Sequence, residues 1–289
     1  MKEFITTSGG ATSIGGTPFK WGQRTYIMGV INLTPDSFSG DGLNTDVEAA
    51  LNQALQFEEM GADIIDVGGE STRPSSIYSG VESTALKDEL SRVIPVIEML
   101  APELGIPISV DTYKSLVAKE ALGAGASMIN DVWGFTRDPD ISLIAAEAGV
   151  PVVLMHNQDH TNYDDLVPDV ISGLTGLRDY AIQVGIAPEN IILDPGMGFG
   201  KTAEHNLEIL RRLDEVMELN CPILVGMSRK STIGYVLDLP VHDRIEGTAA
   251  TVSLSIAKGA DIVRVHDVKQ MVRVARMSDA VVRGWKQSQ

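Results

Sequence analysis

Tyr26-Ile27-Met28-Gly29-Val30-Ile31-Asn32-Leu33-Thr34-Pro35-Asp36-Ser37-Phe38-Ser39-Gly40-Asp41-Gly42 opens as an apolar, β-branched run and changes character at Asn32. The first half has the composition of a buried strand. The second half has turn chemistry at Thr34-Pro35-Asp36-Ser37, and Gly40-Asp41-Gly42 prolongs it as a flexible loop. A buried strand that delivers an amide into a polar loop is how a scaffold presents a functional side chain.

The same pattern recurs along the chain. Strands are expected over 26–32, 64–67, 108–111, 128–131, 152–155, 191–194, 223–226 and 262–265. Helices are expected over 46–60, 86–104, 114–122, 141–148, 170–184, 203–219, 244–258 and 268–285, with Pro95 kinking or dividing the second. A degenerate phrase recurs at Gly61-Ala62-Asp63-Ile64-Ile65-Asp66, Gly125-Ala126-Ser127-Met128-Ile129-Asn130 and Gly259-Ala260-Asp261-Ile262-Val263-Arg264. In each, a glycine ends a helix, a small residue turns the chain, and a buried strand carries a polar residue near its end. Eight β-α units in one chain predict a single α/β domain, a (β/α)8 TIM barrel. An open doubly wound sheet is the alternative, weakened because no Gly-x-Gly-x-x-Gly turn follows the first strand. Residues 1–25, rich in Gly, Thr and Ser but carrying Ile14, Phe19 and Trp21, are read as an N-terminal extended hairpin packed on a barrel of residues 26–289.

The chain has 289 residues, a formal net charge of −16 and a single cysteine, Cys221. No intrachain disulfide can form, no apolar run is long enough for a membrane span, and the N-terminus lacks a signal-peptide pattern. A cytoplasmic setting is expected, with no nucleic-acid or membrane partner, because such a surface repels both. An anionic substrate would need a local cluster of cations.

In a barrel of this kind the active site lies at the C-terminal ends of the strands. Those ends carry Asn32; Glu70, Thr72 and Arg73; Asp111; Asn130 and Asp131; His156; Asp194; Ser228, Arg229 and Lys230; and Arg264 and His266. Asp111, Asn130 and Asp194 suit the guanidine-like edge of a heterocycle. Lys230, Arg264 and His266 come from the last two strands, where barrels commonly bind phosphate. Asn32, on the neighbouring first strand, could reach the same phosphate or a Mg2+ that bridges its oxygens. Mutual pairing of Asp111 and Asp194 with Lys230 is the structural alternative. A zinc site at His156, Asp159 and His160 is weakly supported, lacking a further placed ligand. Cys221 starts its strand, at the opposite end of the barrel from this chemistry.

The motifs from Ile27 to Ser39, from Asp66 to Pro74, Ile129-Asn130-Asp131, Leu193-Asp194-Pro195-Gly196-Met197-Gly198-Phe199-Gly200-Lys201 and Ser228-Arg229-Lys230-Ser231 resemble those of the dihydropteroate synthase family. The resemblance runs from about Tyr26 to the end. It implies condensation of 6-hydroxymethyl-7,8-dihydropterin diphosphate with 4-aminobenzoate, with Mg2+, to give 7,8-dihydropteroate and diphosphate. It implies a pterin set of Asp111, Asn130, Asp194 and Lys230. It implies a diphosphate set of Asn32, Arg264 and His266, with Asn32 also at the metal. Thr72, Arg73, Pro74, Phe199 and Ser231 are implied for 4-aminobenzoate, and a homodimer through outer helices is implied, as is typical of family members. Asp111, Lys230, Asn32, Arg264 and His266 are the residues expected to carry the chemistry. The chain departs from the family pattern at Ser75-Ser76, where Gly is expected, and in the short loop after His156. A methyltetrahydrofolate-dependent methyltransferase would share Asp111, Asn130 and Asp194 but would not need Ser228-Arg229-Lys230. A non-catalytic pterin-binding barrel would not need the cationic cluster.

Overall fold

Alternate residues of a strand face opposite sides, so a barrel strand divides its side chains between the interior and the surrounding helices. The computed structural model describes residues 10–33, 47–70 and 84–285. Its strands are β1 Ala11–Ile14, β2 Thr17–Lys20, β3 Tyr26–Asn32, β4 Ile64–Gly68, β5 Ile108–Asp111, β6 Met128–Asp131, β7 Val152–Met155, β8 Ile191–Asp194, β9 Leu224–Val225 and β10 Ile262–Val265. Its helices are α1 Val47–Met60, α2 Leu86–Leu100, α3 Ser115–Ala124, α4 Asp140–Ala148, α5 Leu166–Gln183, α6 Ala203–Arg211, α7 Leu213–Val216, α8 Ser231–Leu237, α9 Ile245–Ala257 and α10 Val268–Val282.

β3 to β10 form one parallel eight-stranded sheet in the order β8-β7-β6-β5-β4-β3-β10-β9. A parallel bridge between Leu193 and Ile223 brings the β9 side back to β8 and closes the expected (β/α)8 barrel. One apolar cluster holds the outward residues, such as Ile27, Ile65, Val110, Ile129, Leu154, Leu193 and Val263, against the helices. The other joins Met28, Ile64, Met128, Val153, Ile192, Leu224 and Ile262 inside the barrel. Ile14, Phe19 and Trp21 belong to that inner cluster, so the β1–β2 hairpin plugs the N-terminal end of the barrel. Its turn, Gly15-Gly16, has φ of 56° and 81°, the left-handed pair that a two-residue hairpin turn requires. Trp21 Nε1 donates to Thr12 Oγ1 at 3.0 Å, and Thr12 Oγ1 in turn donates to the Glu189 carbonyl.

Three expectations are corrected. α2 runs unbroken through Pro95 and stops at Leu100, its buried face of Val93, Val96, Ile97 and Leu100 outweighing one lost backbone bond. The helix expected over 203–219 is interrupted at Arg212, whose φ and ψ are −109° and 21°. Helix α8 was not expected, since Thr232, Ile233 and Gly234 give it little intrinsic preference. The helix start at Asp46, the loops over 34–42 and 71–79, and Thr72, Arg73 and Pro74 lie outside the described residues.

Candidate active site

The polar residues that end the three repeated phrases meet in space. Each phrase starts at a glycine with φ near +100° or above (Gly61 99°, Gly125 119°, Gly259 104°) and sends its strand into the sheet with the same parity. Asp66, Asn130 and Arg264 therefore project into the barrel one pleat above the inner apolar tier. Asp66 Oδ2 accepts from Arg264 Nε at 2.6 Å and from Asn130 Nδ2 at 3.1 Å. Arg264 Nη2 donates to Asp111 Oδ2 at 2.6 Å, and Nη1 meets no acceptor among the described residues. Asp66 Oδ1, Asp111 Oδ1 and Ser109 Oγ are buried without a hydrogen-bond partner among the described residues. Such atoms are costly unless something else satisfies them.

Burial pushes the Asp111 carboxyl up to about 7, against the pull of Arg264 and with the push of Asp66. Burial also raises Asp194, against the attraction of Lys230. For Arg264 burial disfavours the charge, but Asp66 and Asp111 more than compensate, so the guanidinium stays protonated. Arg264, rather than Lys230, is thus the cation paired with Asp111.

Asp194 Oδ1 accepts from the Gly196 amide at 2.7 Å, which fixes the carboxylate at the head of the β8 loop. In that loop Lys230 Nζ donates to the Met197 carbonyl and lies 4.5 Å from the centre of the Phe199 ring. Val132, Trp133 and Met155 form an apolar wall that Tyr113 and Phe199 extend. Lys201, 3% exposed, donates to the carbonyls of His156 (3.2 Å) and Phe199 (2.9 Å), and lies 3.1 Å from His156 Nδ1. Burial lowers Lys201 to about 7, and burial with the neighbouring Lys201 lowers His156 to about 3. His156 thus serves the loop; among the described residues no group of three His, Cys, Asp or Glu could hold a metal. Asp131 binds the amides of Trp133 (2.8 Å) and Phe135 (2.6 Å), shaping the wall.

At the other end, Ser228 Oγ accepts from the His266 amide at 3.2 Å and lies 3.0 Å from His266 Nδ1. Burial, then Arg264 and Arg229, lowers His266 to about 3, so in the free protein it is a neutral hydrogen-bonding group, whereas a cation was expected. Arg229 is a bracket: it grips Asp267 at 2.9 and 2.5 Å and holds the Ser228–Lys230 turn with φ of 56°. Asn32, half-buried, ends β3 opposite Gly68 of β4, three residues beyond Gly29, where the pairing of β3 with β10 stops. Its amide oxygen is a hard donor of the kind Mg2+ takes, and a single such donor fits an ion whose other ligands are phosphate oxygens and water. Ser231 directly follows Lys230 as the first residue of α8. Glu70 is held by Lys114, Thr84 and Tyr113 at the edge of the mouth.

The barrel mouth thus carries a carboxylate-and-amide floor, an apolar wall and the cations Arg264 and Lys230. Residues 28–266 match the family model described as pterin binding enzyme. The chain belongs to the pterin-binding enzyme family. A dihydropteroate synthase of Clostridium beijerinckii is 50% identical over 271 residues, 93% of this chain and 99% of the relative. The structure of a dihydropteroate synthase from Clostridium difficile, solved with pteroic acid, is 49% identical with a TM-score of 0.84, covering 90% of this chain and 97% of that one. That from Xanthomonas albilineans in complex with 7,8-dihydropteroate is 38% identical with a TM-score of 0.84, covering 94% and 98%.

For a pterin-binding enzyme, sequence reasoning missed Asp66, the Val132–Trp133–Met155 wall and Lys201. Asp66 was visible in principle: it occupies the slot of Asn130 and Arg264 in the repeated phrase. The wall was not, because buried apolar residues carry no mark of whether they face a ligand or a helix.

Proposed function

We infer that this chain condenses 6-hydroxymethyl-7,8-dihydropterin diphosphate with 4-aminobenzoate to give 7,8-dihydropteroate and diphosphate, the dihydropteroate synthase reaction. The observation that supports the reading is the set of Asp111, Asn130 and Asp194 beside the Val132–Trp133–Met155 wall, with Arg264 bonded to Asp111. Asp111, Asn130 and Asp194 would take the ring and exocyclic N–H donors, and Lys230 would donate to the ring carbonyl or a ring nitrogen. The Nη1 of Arg264, the imidazole of His266 and the amide of Asn32 would hold the diphosphate. Asn32 together with the diphosphate would hold Mg2+, which supplies charge stabilisation for the departing anion. Thr72, Arg73, Pro74, Phe199 and Ser231 would receive 4-aminobenzoate.

The site would favour separation of charge: Asp111 and Asp194 would lie under the pterin, and the Arg264 guanidinium with the hydrogen-bonding groups of His266 and Asn32 would meet the leaving group. An aromatic amine is already neutral at pH 7 and needs no base. The path is therefore SN1-like, with diphosphate leaving before the amine attacks. The methyltransferase alternative has no diphosphate to hold and gives no role to the His266 and Asn32 side of the mouth. Diphosphate release that requires both substrates tests the reading; release with either one alone, or none with both, would overturn it.

The exposed apolar residues Tyr235, Val236 and Leu237 of α8, Leu254 of α9, and Met277 and Val281 of α10 support a homodimer through these outer helices. A monomer in sedimentation equilibrium would contradict it. Among the described residues no helix is long and apolar enough to cross a membrane. The single cysteine supports a cytoplasmic setting, and the charge of −16 supports small-molecule partners over nucleic acid.

A further inference from the structure

We propose that Asp66 is the positioning residue of this active site: a carboxylate out of reach of substrate whose one oxygen, Oδ2, fixes both Arg264 and Asn130. The inference rests on the condensation reading above. Asp66 is fully buried, whereas the Arg264 side chain keeps 22% of its surface exposed and faces the mouth. The three residues come from β4, β6 and β10, so a single carboxylate joins three walls of the barrel.

Two consequences follow from donor and acceptor counting. An ionised carboxylate only accepts, so Asn130 must turn its Nδ2 toward Asp66, and its own Oδ1 is left to accept from the pterin. Arg264 is held by Nε at Asp66, so its bond to Asp111 is not its only anchor. Without Asp66 the guanidinium would collapse onto Asp111 and occupy the acceptor that the pterin needs. Asn130 would be free to flip its amide.

Charge gives a signature that packing alone would not. Asp111 is faced by Arg264 from β10, Asp66 from β4, Glu89 from α2 and Asp131 from β6. The Asp66 charge raises Asp111 and the Arg264 charge lowers it. Removing the Asp66 charge leaves Arg264 the stronger influence, so Asp111 ionises at lower pH.

The test is steady-state kinetics of Asp66→Asn against the wild-type enzyme, with both substrates varied across pH. Wild-type turnover is measured first; its absence would overturn the functional reading and this inference with it. With wild-type turnover in hand, Asp66→Asn should raise KM for the pterin diphosphate about 10–100-fold and leave KM for 4-aminobenzoate unchanged. The acid limb of its kcat/KM profile should move to lower pH. A uniform fall in kcat, with both KM values and the pH midpoint unchanged, would mean Asp66 only packs and would overturn the inference alone. If Asp66→Asn is insoluble, Asp66→Glu keeps the charge but displaces the carboxylate. It should raise the same KM with the pH midpoint unmoved, and wild-type kinetics in that variant would overturn the inference.

Discussion

Asp194 uses one carboxylate oxygen on its own loop, at the Gly196 amide, and keeps the other for the pocket. Asp194→Asn removes the charge while leaving the shape. It should weaken pterin binding by about 1.5–3 kcal/mol, the worth of a hydrogen bond to a charged group, without unfolding the protein. Calorimetry with a pterin ligand checks this, and unchanged affinity would contradict it. Arg264 is not replaceable by Lys. Its Nε and Nη2 serve Asp66 and Asp111 at once, and a point ammonium cannot span both while facing the diphosphate. Arg264→Lys should lose at least about tenfold in kcat/KM, the equivalent of one charge-assisted bond, and wild-type values would remove the assigned role. Lys201 makes a prediction about pH. Burial lowers it to about 7 from 10.5, so between those values the unfolded chain holds a proton that the folded chain does not. Stability should therefore rise with pH across that window. Relative to Lys201→Met, wild type should gain up to about 2 kcal/mol between pH 7.5 and 9.0 in urea unfolding. Parallel pH dependences would show that Lys201 does not titrate there.

At the scale of elements, the loop after β8 is built by close approach. Gly196 has φ of 73°, and a Cβ there would lie 2.0 Å from the His156 carbonyl oxygen. Gly16, in the hairpin turn, has φ of 81° but open space around it. Both alanine substitutions should cost about 1–2 kcal/mol for the left-handed conformation. Gly196→Ala should cost more and also weaken pterin binding, because the same turn carries Asp194. Thermal unfolding of the two variants side by side tests this; equal losses would mean the loop yields without strain. Most barrel strands were legible because each is a short buried run framed by glycine before it and a polar residue at its end, as in Gly125–Asp131. Helix α8 was not, because its seven residues mix Gly, Thr and exposed apolar side chains with no repeating face. The site was legible as a set of strand ends but not as pairs. Arg264 and Asp66 are 198 residues apart, and only barrel closure brings them within a hydrogen bond.

Across the whole molecule, a chain of charge −16 that is proposed to hold a diphosphate gathers Arg264, Lys230 and hydrogen-bonding groups at one end of the barrel. The hairpin plugs the opposite end with Ile14, Phe19 and Trp21. Asp111 and Asp194, the carboxylates proposed to meet the pterin, would suit a ring that gains positive charge as its diphosphate leaves. The central claim is that this molecule separates charge before the new bond forms. The measurement that tests it most directly is the rate of carbon–oxygen bond cleavage, in single turnovers, with a series of ring-substituted 4-aminobenzoates of graded nucleophilicity. With the amine bound, the expected cleavage rate is independent of its nucleophilicity, and a rate that climbs steadily with nucleophilicity would establish concerted displacement and contradict charge separation.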